Sequence, residues 1–249
     1  MSEAHPGVEI RDSGPHVSKP RIVVGVPEAG LVGTIACSYL IEELKMVRRG
    51  FVDSELLPQV MLVHDSAATY PIHIFGKDDL LVVLSEIPLP PFASAEVAKA
   101  LASWARSLRA ELVIGVTGAP SKSRDESQGE GKPTVVGVGN SEAALAVLKS
   151  SGAASFEDGI ITGFYASLVK HCNAIGQNSV TLLAESLSQF PDPAAAVSAI
   201  DVLGKVLSLQ LDTQALMKES EEIRLRSREL MQQTQQASQP GGQQPTAYR

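Results

Sequence analysis

The side chains best suited to chemistry in this 249-residue sequence stand near three apolar runs. Glu28 follows the first, His64 and Asp65 follow the second, and His73 lies in the third. An imidazole beside a carboxylate is the pair that general acid–base chemistry uses, and it must act on a nucleophile held within hydrogen-bond reach. The spacing supplies no such nucleophile. There is no G-x-S-x-G elbow, and Cys37 and Cys172 sit inside apolar helical patterns. The expectation is therefore no catalytic residue and no enzyme. The rival reading is a small-molecule phosphorylase- or hydrolase-like enzyme working at strand ends near Glu28, His64 and Asp65. No C-x-x-C pair or Cys/His cluster points to a metal, and nothing indicates a cofactor.

Gly25, Gly30 and Gly33 follow a strand-like run and open a helix, the context in which backbone amides hold phosphate. Their spacing is neither G-x-G-x-x-G nor G-x-x-x-x-G-K-[ST], because Leu31 and Val32 stand where lysine and a hydroxyl are required. They predict structural glycines: a tight turn and a helix packed closely on a strand.

Composition narrows the partner class. The formal net charge is −7, and no cluster of Lys and Arg appears, which argues against nucleic acid and against an anionic membrane surface. The longest aliphatic run, residues 80–84, is too short to span a bilayer. Two thiols far apart in sequence fit a reduced, cytoplasmic setting. The first residues are polar, with Pro6, Pro15 and Pro20, unlike a signal peptide.

The elements that must position these residues alternate. β-branched runs predict strands at 21–26, 47–53, 60–64, 71–75, 80–87, 111–116, 134–138 and 179–184. Three-and-four periodicity predicts helices at 29–45, 94–109, 161–175 and 193–209, with a short helix after Ser141 or Asn140 as N-cap. Runs flanking the turn at 76–79 predict an antiparallel hairpin. Such alternation predicts an α/β protein: a three-layer αβα sandwich with a mixed, mostly parallel sheet. Residues 1–20 predict a disordered arm, 21–210 the core, 211–235 an exposed C-terminal helix, and 236–249 a flexible tail rich in Gln, Pro and Gly. On that helix Val202, Leu209, Leu216, Ile223 and Leu230 recur every seven residues. One apolar stripe of this kind rests on its own domain or serves self-association. The charged stretch 119–133 predicts either a partner-binding loop or a tolerated excursion.

Several stretches, in order, resemble the archaeal-type proteasome assembly chaperone family, in its second-chaperone type. They are residues 25–36 (GVPEAGLVGTIA), 39–46 (YLIEELKM), 63–65 (VHD), 77–80 (KDDL), 85–91 (SEIPLPP), 159–163 (GIITG), 182–185 (LLAE) and 191–193 (PDP). The resemblance covers about residues 21–225. It implies a nucleoside phosphorylase-like α/β sandwich, a homo-oligomer, and binding to 20S proteasome α subunits or the α-ring without ATP. The chain finishes in Ala247, Tyr248 and Arg249, the hydrophobic–tyrosine–any motif of proteasome activators. The resemblance implies that this tail docks between neighbouring α subunits, with Tyr248 and the carboxylate of Arg249 as anchors. An activator working through the same tail is the alternative role.

Overall fold

The computed structural model describes residues 7–15, 18–214 and 216–218. In chain order the elements are β1 (Val8–Asp12), β2 (Arg21–Gly25), α1 (Val32–Glu43), β3 (Val47–Ser54), β4 (Leu62–His64), β5 (Ala67–Thr69), β6 (Ile72–Lys77) and β7 (Leu80–Ser85). There follow α2 (Pro91–Ser107), β8 (Leu112–Pro120), α3 (Lys122–Glu126), β9 (Val135–Gly139), α4 (Glu142–Ser151), β10 (Ala154–Ser155), α5 (Gly163–Ala174), β11 (Ser179–Ser186) and α6 (Pro193–Leu207). Nine strands form one mixed sheet in the order β1-β3-β6-β7-β2-β8-β11-β9-β10. Its centre, β7-β2-β8-β11, is parallel, while β6, β3, β1 and β9 join antiparallel to their inner neighbours.

The central strands are apolar on both faces because both faces are covered. Val23, Val82, Ile114 and Leu182 point into a core roofed by α1, α4 and α6. Ile22, Val24, Leu81 and Val83 point the other way, under α2 and α5. The result is the three-layer sandwich read from the alternation. Helix ends follow local chemistry. Ser141 Oγ accepts from Ala144 N at the start of α4, and Gly152 closes that helix with φ 76°. Pro91 and Pro193 occupy the first positions of α2 and α6, where a missing N–H costs nothing.

Three expectations need correction. Part of the supposed arm is a strand: Val8–Asp12 pairs with β3, Val8 and Ile10 turn inward, and the bidentate pair Arg49–Asp12 (3.0 Å) fastens its end. Composition hid this strand because its alternate residues are charged. The helix expected from residue 29 begins later, since Gly30 (φ 63°) and Leu31 (φ 51°) are left-handed and break a 3-10 turn from α1. The run at 60–64 does not join the main sheet. Instead β4 and β5 form a hairpin of their own, closed by Asp65 and Ser66 at φ 49° and 65°, as a two-residue loop with both φ positive requires. In the charged stretch 119–133, β8 runs on to Pro120, α3 follows, and Arg124 is buried.

After α6 the chain turns back. Leu209 N donates to Gly204 O, Tyr39 Oη donates to Asp212 O (2.6 Å), and Leu209 and Leu216 pack on the α1/α6 core. The rest of the helix expected at 211–235, and Ala247, Tyr248 and Arg249, lie outside the described residues. Among the described residues no helix is long and apolar enough to cross a membrane.

Candidate functional site

Parallel strands deliver the connections that leave them to one end of the sheet, and in open α/β sheets that carboxyl end is where binding groups gather. Here it collects the β2–α1 turn, the β7–α2 turn, the segment after β8, the approach to α5, and the β11–α6 turn. The β4–β5 hairpin stands at the same end, because β3 runs with β7 and finishes beside it.

Glu28 is the half-buried carboxylate of this end. Its Oε2 accepts from Thr117 Oγ1 and its Oε1 from Phe164 N, each at 3.2 Å, so it caps the otherwise uncapped start of α5. Burial raises its pKa above the usual carboxylate range, and the two donors only partly offset that. Thr117 is buried, so its hydroxyl does not face solvent. Beneath this pair Tyr165 is fully buried, its hydroxyl donating to Val116 O (2.5 Å) and accepting from Val26 N (3.0 Å). The carboxylate and the phenol together tie α5 to β2 and β8.

The three glycines of the β2–α1 segment stand where backbones meet. A Cβ on Gly25 would overlap the Gly33 carbonyl, and one on Gly33 would overlap the Val116 carbonyl of β8. Gly30 needs its left-handed φ, and its carbonyl accepts from Asp192 N (2.8 Å). The turn is thereby closed against the β11–α6 turn.

The histidines form a second group. Glu86 lies between them, with Oε2 at 3.2 Å from His64 Nε2 and Oε1 at 3.7 Å from His73 Nε2. Thr69 Oγ1 sits 3.3 Å from His73 Nε2 and accepts from Arg48 (2.7 Å). These contacts latch the hairpin to β6 and β7. Burial, with Arg48 and His64 adding to it, lowers the pKa of His73 from 6.5 to about 4. A depressed histidine contributes stability that is whole above pH 6.5 and is lost as pH falls through 4. The expected result is a urea midpoint that drops by the equivalent of roughly 3 kcal/mol between pH 7 and pH 4, with His73→Phe removing that part of the slope. An unchanged slope in the variant would refute the assignment.

Glu28 and His64 thus have separate partners, and Asp65 occupies an exposed hairpin turn. The structure does not join the three into the acid–base site of the rival reading. Cys37 and Cys172 are buried, and burial pushes their thiols up to about 12 and about 11, away from the reactive thiolate. Among the described residues no cluster of three His, Cys, Asp or Glu side chains could hold a metal ion.

Sequence reasoning missed the ion pair that closes this end. Arg124 donates through Nε and Nη2 to Asp192 (2.8 and 2.9 Å), and through Nη1 to Glu130 O and Gly131 O. Asp192 also accepts from Leu187 N and Ala195 N, capping α6. The Pro-Asp-Pro run announces that cap. Nothing in the charged stretch announces its arginine.

The model of the PAC2 family matches residues 22–231. The chain belongs to the PAC2 family. The stretches that resemble the proteasome assembly chaperones lie inside that match. Among similar solved structures, Pyrococcus furiosus PbaA, an archaeal homolog of proteasome-assembly chaperone, is 32% identical with a TM-score of 0.82, over 93% of this chain and 94% of that one. Pyrococcus furiosus PbaB, an archaeal proteasome activator, shares the fold at 23% identity and a TM-score of 0.79, over 90% of this chain and 99% of that one. An uncharacterised protein of Methanocaldococcus jannaschii is 24% identical over 214 residues, 86% of each chain.

Proposed function

We propose that this PAC2-family protein is an ATP-independent chaperone or adaptor of proteasome assembly that binds 20S α subunits or the α-ring. The observation that carries the reading is the similarity to PbaA, at 32% identity across 93% of the chain. The strand-end geometry supports it. Glu28, Thr117 and Tyr165 are spent on holding helices to strands, so this end is built as a rigid surface.

In this reading the folded core forms homo-oligomers, and Ala247, Tyr248 and Arg249 dock in pockets between α subunits. A carboxylate and an aromatic with a polar tip suit a lysine-bearing pocket, and several weak tails on one oligomer gain avidity. The test is surface plasmon resonance on immobilised archaeal-type 20S particles, with and without residues 247–249. Deletion is expected to weaken ring binding by tenfold or more while the circular dichroism stays unchanged. Equal binding of the two forms would remove the tail from the mechanism, and peptidase assays on the same particles would expose an activator.

A further inference from the structure

The exposed large apolar side chains of this fold are unevenly placed. Leu31, Phe92, Ile160 and Phe190, with Met61 and Val63 of the hairpin, all belong to segments at the carboxyl end of the parallel strands. Phe92, Ile160 and Phe190 are 66%, 85% and 51% exposed, values a chain seldom leaves uncovered for three such residues at one end.

Their supports are rigid. Phe92 stands in the first turn of α2, where Pro90 O accepts from both Ala93 N and Ser94 N. Ile160 leads into α5, whose first turn is held by Glu28. Helices α2 and α5 pack side by side and both start here, with Leu89 and Ile161 in the core beneath, so Phe92 and Ile160 form one rim. Phe190 lies two residues before the anchored Asp192, whose N–H reaches Gly30 O beside Leu31, so these two form the opposite rim above α1 and α6. Between the rims run the ends of β2, β8 and β11.

Charge decides what covers such a face. Glu55, Asp65, Glu86, Asp125, Glu157 and Asp158 are exposed in these same segments, against few cations. Lys122 is engaged by Glu126 (3.7 Å), and Arg124 is neutralised within the fold by Asp192. A second copy using this face would set carboxylate against carboxylate, and nucleic acid would meet the same repulsion. An apolar and acidic surface suits a protein surface that is apolar at its centre and rich in Lys and Arg around it.

We propose that the carboxyl-end face of the sheet, rimmed by Phe92, Ile160, Leu31 and Phe190, docks a basic, apolar-centred surface of the proteasome α subunit, independently of the tail. The inference rests on the functional reading above and adds to it a contact made by the folded core. Two weak contacts, face and tail, would then reinforce each other on one ring.

The test measures binding to immobilised free archaeal-type α subunits by surface plasmon resonance. It uses the full chain, the chain lacking residues 247–249, the double variant Phe92→Ser with Ile160→Ser, and Phe190→Ser. All three substituted side chains are exposed, so the folded state should persist, as circular dichroism would verify. The expected result is a loss of about tenfold or more in each face variant, with or without the tail, and weaker binding of the unaltered chain at high salt. Variants that bind as tightly as an unaltered chain that does bind would overturn the inference alone. A face variant that falls to a smaller oligomer in light scattering would also overturn it, by assigning the face to a second copy. An unaltered chain that binds no α subunit would overturn the functional reading and the inference with it.

Discussion

Replacing Arg124 by methionine is expected to lower the stability of the fold by about 3–5 kcal/mol, read as a fall in the urea midpoint at unchanged slope. The arginine and its partner Asp192 are 4% and 3% exposed, so neither charge can turn to water when the other is removed. Methionine keeps the volume but leaves the carboxylate with Leu187 N and Ala195 N alone. It also removes the guanidinium donor to the carbonyls of Glu130 and Gly131. Lysine should not rescue, because a single ammonium cannot reproduce two parallel bonds to a carboxylate. Asp192→Ala should cost at least as much, since the α6 cap goes with the ion pair. The control is Arg11, whose bond to Glu9 is exposed at both ends, and whose loss should leave the midpoint where it is. Two midpoints that shift alike would refute the account.

Gly33→Ala is the second large effect. In most helices this change returns about 1 kcal/mol of helix propensity. Here the added methyl would overlap the Val116 carbonyl and come within 2.9 Å of Tyr165 Oη. The obstacle is strand backbone, held in register between β2 and β11, so it cannot yield as a side-chain tip would. Overlap is expected to win, with a net loss of about 3 kcal/mol. Because Val116 O is also the acceptor for Tyr165, a shift of α1 strains the contact that ties α5 to the sheet. Thermal unfolding measures the loss. An alanine variant as stable as the parent would show that α1 can lift off β8 freely.

The layered architecture was legible because both of its periodicities are strong. Residues 80–84 are apolar throughout, Ser179–Ser186 has an apolar middle at Leu182, Leu183 and Ala184, and α2 and α6 carry clear buried faces. What escaped was polar material held by partners distant in sequence. Arg124 reads as a loop charge until Asp192, 68 residues on, is seen to pair with it. The alternating Val8–Asp12 reads as a disordered arm until β3 offers an edge. Glu28 looked like a candidate acid, yet its worth lies in Thr117 and Phe164, neither of which carries a local signal. The apolar rims were likewise invisible, because Phe92, Ile160 and Phe190 belong to three segments that meet only through the strand order.

The parallel centre of the sheet also sets a schedule for the chain as it is made. Arg21 pairs with Leu80 on one side and with Leu112 on the other, and Val113 in turn pairs with Ser179. None of these pairings is local, and each must close a long loop before its contacts are gained, which places folding in the slow range of milliseconds to seconds. A ribosome adding about 5–20 residues per second presents β2 several seconds before β8 and longer still before β11. Through that interval Val23, Val24 and their neighbours have no completed sheet to enter. A protein that would attend the building of a larger particle thus begins as a nascent chain whose own central strands wait for partners.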